Sequence, residues 1–210
     1  MTEQTLYSYA PKGDHLTLYK GKKKVHTPNG NVVIANTEAL AQRIVDELSA
    51  DADYTSCATA LCYHYTYCDL IAQYDKATVA DDLLTCLREN LIDDPLLFFR
   101  DERFMNCESS EDLPEIEEDE AQEVVLPLLK SMSELVNKAS IYQLVAIIVL
   151  YCSFESLALS WFIINAMNDA ESKDAFVADL RVYCEKTELP FPKNISEIMA
   201  AFEYYFLIEK

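Results

Sequence analysis

Apolar residues recur three and four positions apart over most of this chain, and that spacing predicts helices. In the first such segment Leu40, Ile44, Val45 and Leu48 share one face, with Asn36 or Thr37 placed to cap it. Residues 54–74 continue the helical pattern with many aromatics, and further helices are expected over 78–90, 95–104, 121–137, 173–187 and 195–208. Ahead of these the period drops to two. Residues 15–19 alternate polar and apolar, 21–24 read as a basic turn, and Val25 resumes the strand. Thr27-Pro28-Asn29-Gly30-Asn31 is a strong turn signal, because proline fixes φ and Asn-Gly tolerates positive φ. A short β-branched strand at 32–35 completes a hairpin or meander. The expected fold is therefore α+β: a small N-terminal two-layer domain of strands and helix over residues 1–75, then an all-α orthogonal helical bundle over 76–210.

Residues 141–167 are almost wholly apolar and long enough to span a bilayer. Glu155, inside Ser153-Phe154-Glu155-Ser156, argues against that, because a carboxylate near mid-span is costly in lipid. The flank Asn168-Asp169-Ala170-Glu171 also lacks the Lys or Arg cluster that would fix an orientation. The segment is expected to be core, either one central helix or two helices broken near Ser153, with no stable membrane insertion; a membrane-associated helical protein using residues 141–167 stands as an alternative. Glu155 is then a helix cap, a buried ion-pair partner or a residue at an outward-facing break, and it is also a candidate for partner binding. Residues 106–120 are expected to form a loop. Glu108, Glu111, Asp112, Glu115, Glu117, Glu118, Asp119 and Glu120 within it repel one another and keep it solvated.

Composition narrows the functional classes. With 210 residues, half of them hydrophobic, the chain can bury a sizeable core. Only three residues are glycine, which disfavours a dinucleotide fingerprint or a phosphate-cradling loop. A formal net charge of -19 disfavours nucleic acid and anionic membrane surfaces as partners. It favours solubility and suits a basic protein partner. The seven cysteines are odd in number and irregularly spaced, which reads as free thiols in a reducing compartment. Residues 1–10 carry neither a signal peptide pattern nor an arginine-rich presequence. The expected location is the cytoplasm, or the mitochondrial matrix if a presequence has been removed.

Candidate chemistry is sparse. Cys57, Cys62, His64 and Cys68 form the one group resembling a metal site. On a continuous helix Cys57, His64 and Cys68 would share a face but spread over roughly 16 Å, too far for one zinc ion with bonds near 2 Å. Small thiols packed among tyrosines are the better reading, and a metal-binding enzyme centred on Cys57, His64 and Cys68 stands as an alternative. No cofactor is expected. His15, His26 and His64 are the only imidazoles, and no nucleophile elbow is present. In Asp81-Asp82 and Asp93-Asp94 the second aspartate precedes apolar helical residues, so each is expected to cap a helix.

Three phrases together resemble the ATP synthase assembly chaperone family, whose mitochondrial members escort the α subunit of the F-type ATPase and which also has bacterial members. The first is Leu18-Tyr19-Lys20-Gly21-Lys22 leading through Thr27-Pro28-Asn29-Gly30-Asn31 and Val32-Val33-Ile34 to Thr37-Glu38-Ala39-Leu40-Ala41. The second is Asp82-Leu83-Leu84 with Arg88-Glu89, and the third is Asp94-Pro95-Leu96-Leu97 with Arg103-Phe104. The apolar stretch 144–166 is similar to the family's penultimate helix pair, and Asp174-Ala175-Phe176 to the start of a later helix. Departures fall at Glu47-Leu48, where the family has an acidic residue followed by tryptophan, and at Arg181-Val182, where it has an acidic pair. The resemblance implies a monomeric, non-enzymatic chaperone that binds the ATP synthase α subunit, or a related protein client, and shields its assembly interface. On that reading Arg88, Asp94 and Arg103 join Glu155 as partner-binding candidates. Asp94 is expected to be a helix cap first, and Arg88 and Arg103 ion-pair partners first.

Overall fold

The computed structural model describes residues 6–168, 173–189 and 195–209. An antiparallel sheet opens the chain: β1 (Tyr7–Lys12), β2 (His15–Lys20), β3 (Lys23–Lys24) and β4 (Ile34–Ala35). A two-residue turn joins β1 to β2, with Gly13 at φ 65°, and the register runs from Tyr7 opposite Lys20 to Lys12 opposite His15. The other edge of β2 is shared. Lys20 and Tyr19 pair with β3, while Leu16 and Thr17 pair with β4. Strand β1 is not obvious in the sequence because Pro11 interrupts its alternation. A sheet edge tolerates proline, since the missing N–H is not needed for a ladder there.

The Thr27–Asn31 turn forms as expected and is fixed by a residue far away in sequence. Asp69 accepts hydrogen bonds from Thr27 Oγ1 (2.5 Å), Asn29 Nδ2 (2.7 Å) and Asn31 Nδ2 (2.8 Å). One carboxylate thus saturates the turn's polar side chains and ties it to the second helix.

The helices follow: α1 (Glu38–Ser49), α2 (Ala60–Ile71), α3 (Lys76–Asn90), the short α4 (Glu102–Met105), α5 (Glu118–Lys138), α6 (Ile141–Phe154), α7 (Leu157–Asn168), α8 (Lys173–Thr187) and α9 (Ile195–Glu209). Thr37 caps α1 by accepting from Leu40 N (3.2 Å), and Leu40, Ile44 and Val45 are buried as their spacing predicts. Helix α2 is shorter than the 54–74 pattern suggests. Asp53 captures the amide and hydroxyl of Thr55, and Thr59 caps the first turn, so residues 53–59 turn instead of coiling.

At its start α2 also receives Glu47 from α1. The Glu47 carboxylate accepts from Ala60 N (3.2 Å) and Leu61 N (2.7 Å) and pairs with Arg43, which reaches on to Glu203 of α9. Helix α3 begins at Lys76 with Asp75 as its cap, so Asp82 lies inside the helix and does not cap one.

The helix expected over 95–104 is replaced by successive tight turns. Leu97 N bonds to Asp94 O, Phe99 N to Leu96 O and Asp101 N to Phe98 O, and helical geometry appears only in α4, which Asp101 caps. These turns bury Leu96, Leu97 and Phe99. The expected loop at 106–120 contains a single 3-10 turn at Ser110–Asp112, and α5 begins three residues early, with Glu118, Asp119 and Glu120 placed favourably at the positive end of its dipole.

The long apolar stretch resolves into two helices. Ser140 and Gln143 form a reciprocal capping box that starts α6, and the break falls at Glu155. Among the described residues no helix is long and apolar enough to cross a membrane. Residues 169–171, the flank used in that argument, lie outside the described residues. The expected division near residue 75 falls in the turn between α2 and α3. Buried side chains on both sides belong to one contiguous cluster, and α9 packs back on α1 and α2.

Candidate functional site

The α6–α7 break is the most tightly specified polar feature of the fold. Glu155 adopts the left-handed conformation at φ 53° and ψ 29°, ending α6, and its side chain is exposed. Ser156 then caps α7, its hydroxyl accepting from Leu159 N at 3.0 Å. Into this break comes Asp94, from a loop more than sixty residues away in sequence. One carboxylate oxygen of Asp94 accepts from Ser156 Oγ (2.7 Å) and from Leu96 N (3.0 Å), and the other accepts from Ala158 N (2.9 Å). Asp94 is 9% exposed, so its charge is held by three donors and the α7 dipole in place of water. Where the sequence predicts a helix for it to cap, it accepts from Leu96 N in a tight turn, and the helix end it serves is the first turn of α7.

The four partner-binding candidates therefore separate. Asp94 and Glu155 meet at the break, one buried and one facing solvent. Arg103 lies on α4, pairs with Asp101 at 2.8 Å and also bonds Glu120 of α5, which makes it an ion-pair bridge between those elements. Burial does not strengthen this pair, because Arg103 stays largely exposed. Arg88, in the last turn of α3, is exposed and makes no ion pair among the described residues, so its expected structural role is not seen there.

Glu155 offers a clean separation of stability from recognition. A left-handed exposed position favours glycine, so Glu155→Gly is expected to raise stability by about 0.5–1 kcal/mol in urea unfolding. If the carboxylate also contacts a partner, the same variant binds more weakly while being more stable.

Beside the break, α2, α3 and α6 enclose an open groove of about 280 Å³. Its apolar wall comes from Leu70, Val79, Leu83 and Ile148, and its polar groups from Tyr74, Asp82, Cys86 and Tyr151. Burial first, and then the neighbouring Cys86 side chain, push the Tyr151 phenol up. This groove is not legible in the sequence. Asp82 was expected to be a cap, and the facing residues come from a helix sixty positions on.

The residues of the suspected metal group divide. His64 is fully buried, with Nδ1 3.3 Å from Tyr204 Oη and Nε2 3.9 Å from Cys68 Sγ. Burial pushes its pKa down to about 4, so it is neutral near pH 7. Cys57 does not join them, because it lies in the turn that precedes α2. Among the described residues no three His, Cys, Asp or Glu side chains are arranged to hold a metal ion. His64 and Cys68 pack among Tyr67, Tyr204 and Ile34, as small buried groups do.

Searches against family models, curated proteins and solved structures find no match for the chain.

Proposed function

We propose that the chain is a non-enzymatic assembly chaperone whose client is the α subunit of an F-type ATP synthase or a related protein. The observation that carries the reading is where the three resembling phrases fall. The first builds the β2–β4 meander, with its turn held to α2 by Asp69. The second lies in α3 and supplies Asp82 and Leu83 to the groove. The third supplies Asp94, which holds the neighbouring α6–α7 break. The three phrases thus attach to α2 through Asp69, lie within α3, and bond the α6–α7 break through Asp94.

The physical task is to cover an apolar assembly surface and yield it to a tighter partner by mass action. The groove offers an apolar slot for a client side chain, with Tyr74, 48% exposed, beside it. Glu108, Glu111, Asp112, Glu115, Glu117, Glu118 and Asp119 are all exposed and present a concentrated negative field. Such a field speeds encounter with a basic client and opposes self-association.

The test is a pull-down from lysate of the native host with this protein as bait. Recovery of the ATP synthase α subunit, and its release when the β subunit is added, is the expected result; its absence from the bound fraction overturns the client assignment. Replacing the acidic residues at 108–119 with Ser or Asn is expected to slow client association about tenfold at low salt and to flatten its salt dependence in stopped-flow mixing. Unchanged on-rates would remove the acidic block from the mechanism.

A further inference from the structure

Lysine is concentrated at the start of this acidic chain. Residues 6–36 hold five lysines and a single acidic residue, Asp14, in a protein with a net charge of -19. Two of these lysines share a face of the sheet. Lys12 stands opposite His15, Lys24 opposite Tyr19 and Ile34 opposite Thr17. Side chains alternate along a strand, so all of these point to one side, and Leu16 and Leu18 point to the other. On the first side an open cavity of about 320 Å³ is lined by Lys12, His15, Thr17 and Lys24, with Asn31 from the turn and Ile71 from the end of α2.

Two observations single out this cavity. Thr17 is 1% exposed, and its Oγ1 has no hydrogen-bond partner among the described residues. A buried hydroxyl in that state calls for an explanation, and an ion or ligand that accepts from it is one. The second observation is the company it keeps. Among the described residues neither Lys12 nor Lys24 forms an ion pair, and no acidic residue lines the cavity. Asp69, which bonds Asn31, is already taken up by three donors in the Thr27–Asn31 turn. The Lys12 side chain pushes the Lys24 pKa down, the sign expected when two ammonium groups share one space.

We propose that this cavity binds a small phosphate monoester, its dianion held between the Lys12 and Lys24 ammonium groups, with the Thr17 hydroxyl donating to a phosphate oxygen. Lys12 comes from β1, Thr17 from β2 and Lys24 from β3, so the donors approach from three strands. A tetrahedral dianion offers an acceptor oxygen to each of them and neutralises both lysines at once. His15 and Asn31 supply further donors on the same walls.

The surroundings favour a small ligand over a polyanion. The acidic remainder of the chain opposes nucleic acid and anionic membranes, which must lie along an extended surface. At physiological salt that repulsion is screened beyond about 8 Å, so a single dianion meets mainly the two lysines beside it. Val32, Ile34 and Ile71 give the cavity an apolar side, which fits a short apolar group esterified to the phosphate. The proposal is independent of any client.

The experiment is an amide NMR titration of the folded full chain with inorganic phosphate and with phenyl phosphate, at about pH 8, where both are mainly dianions. Ionic strength is held constant with sodium chloride. Saturable shifts are expected at the amides of Lys12, His15, Thr17 and Lys24, with phenyl phosphate the tighter of the two. Lys12→Gln and Lys24→Gln should each weaken phenyl phosphate binding about tenfold, the loss of one charge-assisted hydrogen bond. Thr17→Val keeps the shape and should weaken binding about fivefold while raising the urea midpoint of the ligand-free protein, since an unpartnered hydroxyl gives way to a methyl. A lowered midpoint would show that the hydroxyl serves the fold and would overturn its assignment to the ligand. The proposal is also overturned if phosphate moves these amides no more than chloride does, or if both lysine variants bind phenyl phosphate as the unaltered protein does. Binding to phosphatidic acid vesicles without binding to phenyl phosphate would make this a membrane surface and overturn it as well. Both lysines are exposed, so their variants carry the test even if Thr17→Val fails to fold.

Discussion

Replacing Asp94 with alanine is expected to destabilise the protein by about 3–4 kcal/mol, the largest effect of any single polar side chain identified in the fold. The carboxylate is 9% exposed and accepts three hydrogen bonds, from Ser156 Oγ, Leu96 N and Ala158 N. Bonds to a charged group contribute about 1.5–3 kcal/mol each, and their loss strands buried donors that no other described group satisfies. The three are not additive, since Ser156 can turn its hydroxyl elsewhere. Asp94→Asn should cost less, about 1–2 kcal/mol, because the amide keeps one acceptor oxygen but turns an N–H₂ toward one of the donors. Urea unfolding measures both. A double-mutant cycle with Ser156→Ala should give a coupling of about 1 kcal/mol or more. A cost for Asp94→Ala below about 0.5 kcal/mol would show that the break is held by packing alone. Asp94 thus belongs to the architecture, and a client-binding defect in its variants would be read first as a folding defect. Arg88 and Glu155, both exposed, are the better probes of recognition.

The same residue shows which parts of this fold can be read from sequence. Short-range signals carry well: Thr37 capping α1, the face formed by Leu40, Ile44 and Val45, and the interruption of the apolar stretch beside Ser153 all follow from contacts within four residues. The turn at Thr27–Asn31 is equally local, although the group that fixes it, Asp69, is not. Failures cluster where a distant side chain takes over a helix end. Asp94 serves α7 while its own segment runs in tight turns, and Glu47 serves α2. Each of these uses the ordinary N-cap interaction, but the donor and acceptor are brought together only by the finished fold. The groove is hidden for the same reason. Leu70, Leu83 and Ile148 come from three helices, and each reads in isolation as one more core residue.

The second large effect is acid destabilisation through His64. Its imidazole is fully buried against Tyr204, Cys68 and the Ile34 carbonyl, and burial holds its pKa at about 4 against an ordinary value near 6.5. Tyr67 also stacks on the ring, and no carboxylate is among the groups acting on its charge. The folded state therefore binds the proton less readily than the unfolded chain. Above pH 6.5 neither state is protonated at this position and the stability is undiminished. As pH falls from 6.5 to 4 the unfolded state takes up a proton that the folded state refuses, and stability drops by about 3 kcal/mol; below pH 4 both are protonated and the loss stops growing. Carboxylates titrate over part of the same range, so the wild-type curve alone is not diagnostic. His64→Gln keeps a polar group of similar reach and removes the titration. The stability difference between wild type and this variant, measured by urea unfolding at pH 7 and pH 4, should shift by about 3 kcal/mol in favour of the variant at the lower pH. A difference that stays constant between those pH values would mean that His64 is solvated or finds an anionic partner when protonated, and that its burial contributes nothing to acid sensitivity.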